Sequence, residues 1–156
     1  MSNGTSASQW LDAVLEASKE LATTMLGMDE ATFIEEITKL PDNEEAAYIA
    51  LVGEETAVQV GIGASPENSM LVARALMGME PDEPDLEEDE VADAISEIVN
   101  ILGGQVKNIM SDHANVNLGL PMFMHGKLYV KESTDIKIAK IKLGEIPILI
   151  LVLKSD

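Results

Sequence analysis

The chain has 156 residues, 46% of them hydrophobic, which favours one folded domain over residues 1–156 with residues 1–8 as a loose N-terminal leader. Ten basic against 28 acidic side chains give a formal charge of -18, which argues against nucleic acid or an anionic membrane surface as partner and fits one that offers a cation. The absence of cysteine excludes disulfides, thiolate metal sites and a cysteine nucleophile; no signal-peptide pattern opens the chain and its longest apolar run, Ile146 to Leu153, is too short to span a bilayer, so a cytoplasmic location is expected.

The first element is a helix in which Trp10, Val14, Leu21, Met25 and Leu26 recur at mostly helical spacing, with Ser8 as its cap and Gly27 as its end. "ATFIEEITKL" is ambiguous and reads as a strand from Phe33 to Leu40, followed by a turn at Asp42 and Asn43. "AAYIALVG" and "TAVQVGIGA" are β-favouring runs separated by "EET", the pattern of a hairpin. A second helix follows, with Ser65 as cap, Pro66 at its first position and Glu67 in its first turn. Its apolar face is Leu71, Val72, Ala75 and Leu76, and Gly78 closes it. "GIGASPE" lacks a nucleotide fingerprint and reads as a strand-to-helix turn. "EPDEPDLEEDE" is a loop whose last acids favour the positive end of the next helix; it lacks the glycine and ligand spacing of an EF-hand.

In the long helix that follows, Ile95, Ile98, Val99, Leu102, Val106, Ile109 and Met110 form one stripe at about 100° per residue, the signature of a core-facing side. Asp93, Glu97, Asn100, Gly104 and Lys107 stack on the opposite side at spacings of four, three, four and three. Polar residues there are ordinary. An asparagine and two mid-helix glycines are less so, since Gly103 and Gly104 each cost on the order of 1 kcal/mol against alanine. Such glycines either kink a helix or let another backbone come close. That face is either simply wet or a site.

Four strand-like segments finish the chain: "NVNLGLP", "MFMHGKLYV", "TDIKIAKIKL" and "IPILILVL". The third alternates Ile136, Ile138 and, after a slip, Ile141 against lysines, as in a half-exposed strand; the fourth reads as a strand covered on both faces. The pattern is a sheet with helices packed on it, an α+β class. No internal repeat stands out. His113 and His125 lack metal-ligand spacing, and nine methionines suggest adaptable core packing.

"DAISEIVNILGGQVKNIM" and "LGLPMFMHG" together resemble the signature of the CheC, CheX and FliY family of chemotaxis phosphatases: Asp or Ser, Glu four residues on, Asn three further, and a proline about twenty later. Those positions are Asp93, Glu97, Asn100 and Pro121, with Gly126 beyond. "AAYIALVGEETAVQVGIGASPENSMLVARALMG" is similar to the strand-hairpin-helix that precedes the signature, and the likeness runs from about Gln9 to Val152. The resemblance implies a mainly antiparallel sheet with long helices packed on one face. It implies a phosphatase that stimulates hydrolysis of the phosphoaspartate of a CheY-like response regulator. Glu97 would dock on the receiver's lysine and Asn100 would orient the attacking water, with Asp93, Gly104 and Pro121 as supporting positions. No metal or cofactor of its own is implied, because Mg2+ belongs to the receiver. CheC-like members carry a second acid-amide motif; here neither of the first two helices has Glu followed by Asn at that spacing. One motif points to the CheX branch and, by analogy, to a homodimer. Ser96 stands where glycine is common, beside Glu97. The alternatives are a non-catalytic module that binds a receiver or a flagellar-switch component, and a structural dimer whose helix face is merely solvated. Asn100 separates the first alternative from the enzyme: a binder needs Glu97 but has no use for the amide.

Overall fold

The computed structural model describes residues 5–39, 45–80, 82–126 and 134–155. In chain order the elements are α1 (Ala7–Thr24), β1 (Ala31–Ile37), β2 (Glu45–Val52), β3 (Ala57–Ala64), α2 (Pro66–Leu76), α3 (Glu88–Ile109), β4 (Asn117–Leu118), β5 (Met122–His125), β6 (Asp135–Leu143) and β7 (Ile146–Lys154). The strands form one sheet in the order β1-β6-β7-β3-β2-β4, with β5 also on β2, and every pairing is antiparallel. The α+β expectation holds.

All three helices lie on one face. Their apolar sides share a core with Ile49 and Leu51 of β2, Val58, Val60 and Ile62 of β3, Ile141 of β6, and Ile148, Ile150 and Val152 of β7. Strand side chains alternate between faces, so Tyr48, Ile138, Leu149, Leu151 and Leu153 gather on the other side as a second buried cluster. β7 is therefore covered on both faces, as its unbroken apolar run implied. β6 needs no slip to explain its isoleucines. Its register with β7 is regular, and Ile136 and Ile138 face away from the helices while Ala139, Ile141 and Leu143 face them.

Three boundaries differ from expectation. The cap of α1 is Ser6, not Ser8: Gln9 N donates to Ser6 Oγ at 3.2 Å, and Ser6 N donates to Gln9 Oε1 at 2.7 Å. A capping box fixes the first turn better than a lone serine. The chain is accordingly ordered before residue 8, since Thr5 is buried and its Oγ1 accepts from Trp10 Nε1 at 2.6 Å. Met25, placed on the buried stripe, is the exposed C-cap, after which Gly27 turns the chain at φ 63°. In α2 the inward residues are Ser69, Val72 and Ala73, so the face is rotated and Leu71 is exposed. Leu40, Asp42, Asn43 and the end of "MFMHGKLYV" lie outside the described residues.

The strand order carries an internal symmetry that no repeat in the sequence announces. Exchanging β1 with the β4–β5 edge, β2 with β6 and β3 with β7 turns the strand order into its own reverse. Each half runs helix then strands, α1-β1-β2-β3 and α3-β4/β5-β6-β7, with α2 between them. The divergence of side chains hid this relation, while burial on matched faces preserved it.

Candidate functional site: the outward face of α3

Helix α3 is well made at both ends. Glu87 N donates to Glu90 Oε1 at 2.9 Å, Glu88, Asp89 and Glu90 occupy the first turn, and Lys107 sits in the last. Those charges oppose the helix dipole. The inward side buries Ile95, Ile98, Val99, Leu102, Gly103 and Val106. This 22-residue rod is held along its length, so what it presents outward is presented rigidly.

The outward side carries the residues that the sequence grouped. Asp93, Glu97 and Asn100 are exposed, and Gly104 and Lys107 are half-buried. Glu97 and Asn100 are one turn apart, with Cβ atoms about 5–6 Å from each other by helix geometry. Among the described residues, neither side chain has a hydrogen-bond or ion-pair partner. A carboxylate and an amide on a fixed backbone, without a partner among the described residues, can both be given to another molecule.

The two glycines do different things. A Cβ at Gly103 would lie 2.7 Å from Ile49 Cγ2 and 3.2 Å from Leu118 Cδ2, so its absence lets α3 settle onto β2 and β4. A Cβ at Gly104 would meet nothing within 4 Å. Gly103 is thus a close-approach glycine and the helix runs on without a break; Gly104 leaves an opening one turn beyond Asn100.

Pro121 lies in the interruption between β4 and β5, both of which pair with β2. Gly119 N still donates to Ala50 O at 2.8 Å, after which Leu120 turns outward, 86% exposed. Proline has no N–H to offer β2, which suits it to such a gap. Met122 is 66% exposed and Leu118 packs beside Gly103 while remaining partly exposed. An apolar shoulder therefore borders α3. Sequence reasoning missed it because Leu118, Leu120 and Met122 read as ordinary strand residues, and the only hint was the glycine and proline that break the strand. Methionine was assigned to the core, yet Met25, Met77 and Met122 are exposed, while Met110 is buried.

The remaining conspicuous residues lie elsewhere. His125 Nδ1 is 3.2 Å from Glu45 Oε2 and packs edge-to-face on Phe123, and His113 is exposed. Among the described residues, no group of three or more His, Cys, Asp or Glu is placed to hold a metal, and no helix is long and apolar enough to cross a membrane. The amino end of α2 is capped from within: Ser65 Oγ accepts from Asn68 N at 3.1 Å, and Asn68 Nδ2 donates to Pro147 O at 3.0 Å. This is the strand-to-helix turn that "GIGASPE" suggested.

No curated protein sequence matches the chain. Solved structures do. A CheC-like superfamily protein from Shewanella sp. PV-4 superposes with a TM-score of 0.77 at 19% identity, over 94% of this chain and 97% of that one. The chemotaxis protein CheX from Vibrio vulnificus gives 0.77 at 18% identity, over 94% and 99%. CheX in a CheX–CheY–BeF3–Mg2+ complex from Borrelia burgdorferi gives 0.75 at 19%, over 94% and 98%. These likenesses establish the fold. The family model "Chemotaxis phosphatase CheX" matches residues 46–143, a stretch that includes α3 and both edge strands beside it. The chain belongs to the CheX family of chemotaxis phosphatases.

Proposed function

We propose that this protein is a phosphatase for the phosphoaspartate of a CheY-like receiver domain, with the outward face of α3 entering the receiver's active site. The observation that carries this reading is the pair of exposed side chains Glu97 and Asn100, one turn apart on a rigid helix and without a partner among the described residues. Membership of the CheX family and the similarity to a CheX that forms a complex with CheY support a receiver as the partner. Glu97 pairs with the receiver's active-site lysine. Asn100 holds a water in line with the aspartyl–phosphate bond. The water oxygen bonds to phosphorus as the bond from phosphorus to the aspartate oxygen breaks, leaving a carboxylate and inorganic phosphate; the water's proton passes to phosphate or solvent. An amide suits this role because it accepts as well as donates hydrogen bonds and can orient a water without taking its proton. Mg2+ is the receiver's, so this chain supplies only position. Asp93 adds negative charge one turn before Glu97, Gly104 leaves room for the receiver, and Pro121 holds the edge that abuts α3. The acting species is a cytoplasmic homodimer.

The decisive experiment follows phosphate loss from a phosphorylated CheY-like receiver. Asn100→Ala should lower the stimulated rate by about 10²–10³ while leaving affinity nearly unchanged. Glu97→Ala should weaken association by roughly 2–5 kcal/mol if its ion pair is buried in the complex. Undiminished turnover by the Asn100 variant would remove the enzyme and leave the binding module.

A further inference from the structure

The edge of the sheet beside α3 is built around one extra residue. Leu51 faces Leu118 and Tyr48 faces Met122, so three steps along β2 match four along its partner. The surplus falls between Gly119, whose N–H still donates to Ala50 O, and Met122. Pro121 suits such a bulge because it has no N–H to pair. Leu51, Ala47 and Phe123 belong to the core under the helices, whereas Tyr48 and Met124 belong to the cluster on the other face. Strand alternation therefore turns Met122 to the far face with Tyr48 and leaves Leu118 and Leu120 on the side of α3. Leu120 is 86% exposed there, and Leu118 Cδ2 lies 3.2 Å from the place of a Cβ at Gly103. Gly103 follows Asn100 by about 4.5 Å along the helix and about 60° around it. The leucines thus flank Asn100 on the side of the sheet edge.

We infer that Leu120 is a specificity-determining residue of the α3 site, selecting receivers that carry an aliphatic or aromatic side chain beside the phosphoaspartate. The inference rests on the phosphatase reading of α3. Glu97 and Asn100 meet a lysine and a phosphoryl group that the reaction itself requires of any receiver, so they cannot tell one receiver from another. Discrimination has to come from a contact that the chemistry does not need. Leu120 offers one within reach. A domain of about 100 residues has a radius of gyration of about 13 Å, so a receiver seated on Asn100 overhangs the leucine beside it. An apolar side chain gives up its water there at no cost, whereas a charged one loses its hydration without a partner. A second copy of this chain is a poorer occupant. β4 has two residues and β5 four, with Pro121 between them, too broken an edge to template a strand from another chain, while β1 at the opposite edge runs seven.

The test follows phosphate loss from the phosphorylated CheY-like receivers of one organism, each over a series of concentrations. Leu120→Ser should raise KM for the preferred receiver about 10-fold or more with kcat held, as loss of a buried leucine contact does. It should also narrow the gap in kcat/KM to the next receiver by a similar factor. Leu120→Met should restore both, and Met122→Ser, on the far face, should change neither. Unchanged KM and ranking with Leu120→Ser overturn the inference, as does an equal loss with Met122→Ser. A shift from dimer to monomer in sedimentation of the Leu120→Ser chain also overturns it, because a second copy then covers the leucine. An unmodified chain that does not speed phosphate loss overturns the phosphatase reading instead. Titration with a receiver carrying beryllofluoride and Mg2+ then decides Leu120: weaker uptake by Leu120→Ser supports its role, and equal uptake overturns it.

Discussion

The inward and outward sides of α3 answer to different constraints. Every inward residue is accounted for by what it touches in this chain: Ile98, Val99, Leu102 and Val106 are fully buried, and Gly103 is small because Ile49 and Leu118 press on it. The outward residues have no such account. Asn100 and Gly104 are poor helix formers at positions where a lysine or alanine would fit without contact, and Glu97 has no partner among the described residues. Packing explains the first side; the proposed receiver would explain the other. What differs is the measurement to which each side should respond.

The widest separation is expected between Asn100 and Leu102, two residues apart on opposite sides. Leu102→Ala should cost about 2–5 kcal/mol of stability, because it leaves a cavity in the shared core; chemical denaturation with an unchanged slope would measure it. Asn100→Ala should leave stability within about 0.5 kcal/mol while losing the hydrolytic rate described above. A large stability loss on Asn100→Ala would mean that its amide is structural, and the contrast between the two sides would fail.

The glycine pair sharpens the same contrast at single-residue resolution. Gly103→Ala should destabilise by about 1–3 kcal/mol through overpacking, since its methyl would sit 2.7 Å from Ile49 Cγ2. Gly104→Ala should stabilise by up to about 1 kcal/mol through helix propensity alone, because open space surrounds the new methyl. If that opening admits the receiver, the same change should lower stimulated dephosphorylation. A more stable variant with full activity would show that Gly104 has no docking role.

Much of this was legible in the sequence because it depends on local period. The α3 stripe, the β2–β3 hairpin and the Ser65–Pro66 helix entry are set by neighbours within a turn or a strand. The stacking of Asp93, Glu97 and Asn100 was legible for the same reason, since helix geometry alone orders it. What required coordinates depends on distant partners. Ser8 and Ser6 are equally good caps by type, and Gln9 decides between them. Met25 and Leu71 fit an apolar period but fall where no strand covers them. The symmetry of the strand order is set by pairings between distant segments, which no local period announces.

Tyr48 supplies the control on this contrast between packing and recognition. It lies in the cluster on the sheet face away from the helices, and burial pushes its phenol up from 10.0 to about 12. In the unfolded chain the phenol ionises from about pH 10, while in the folded chain it stays neutral until about 12. The stabilising effect is thus fully present below pH 10 and is lost as pH rises through 12, so stability should fall across that window. Tyr48→Phe should flatten this alkaline limb in a pH series of thermal melts and leave receiver binding at neutral pH unchanged, because no part of the cluster belongs to α3. An unchanged alkaline limb would mean that another group sets it; altered receiver binding would mean that the two faces of the sheet communicate, and the outward side of α3 could no longer be treated as independent of the core.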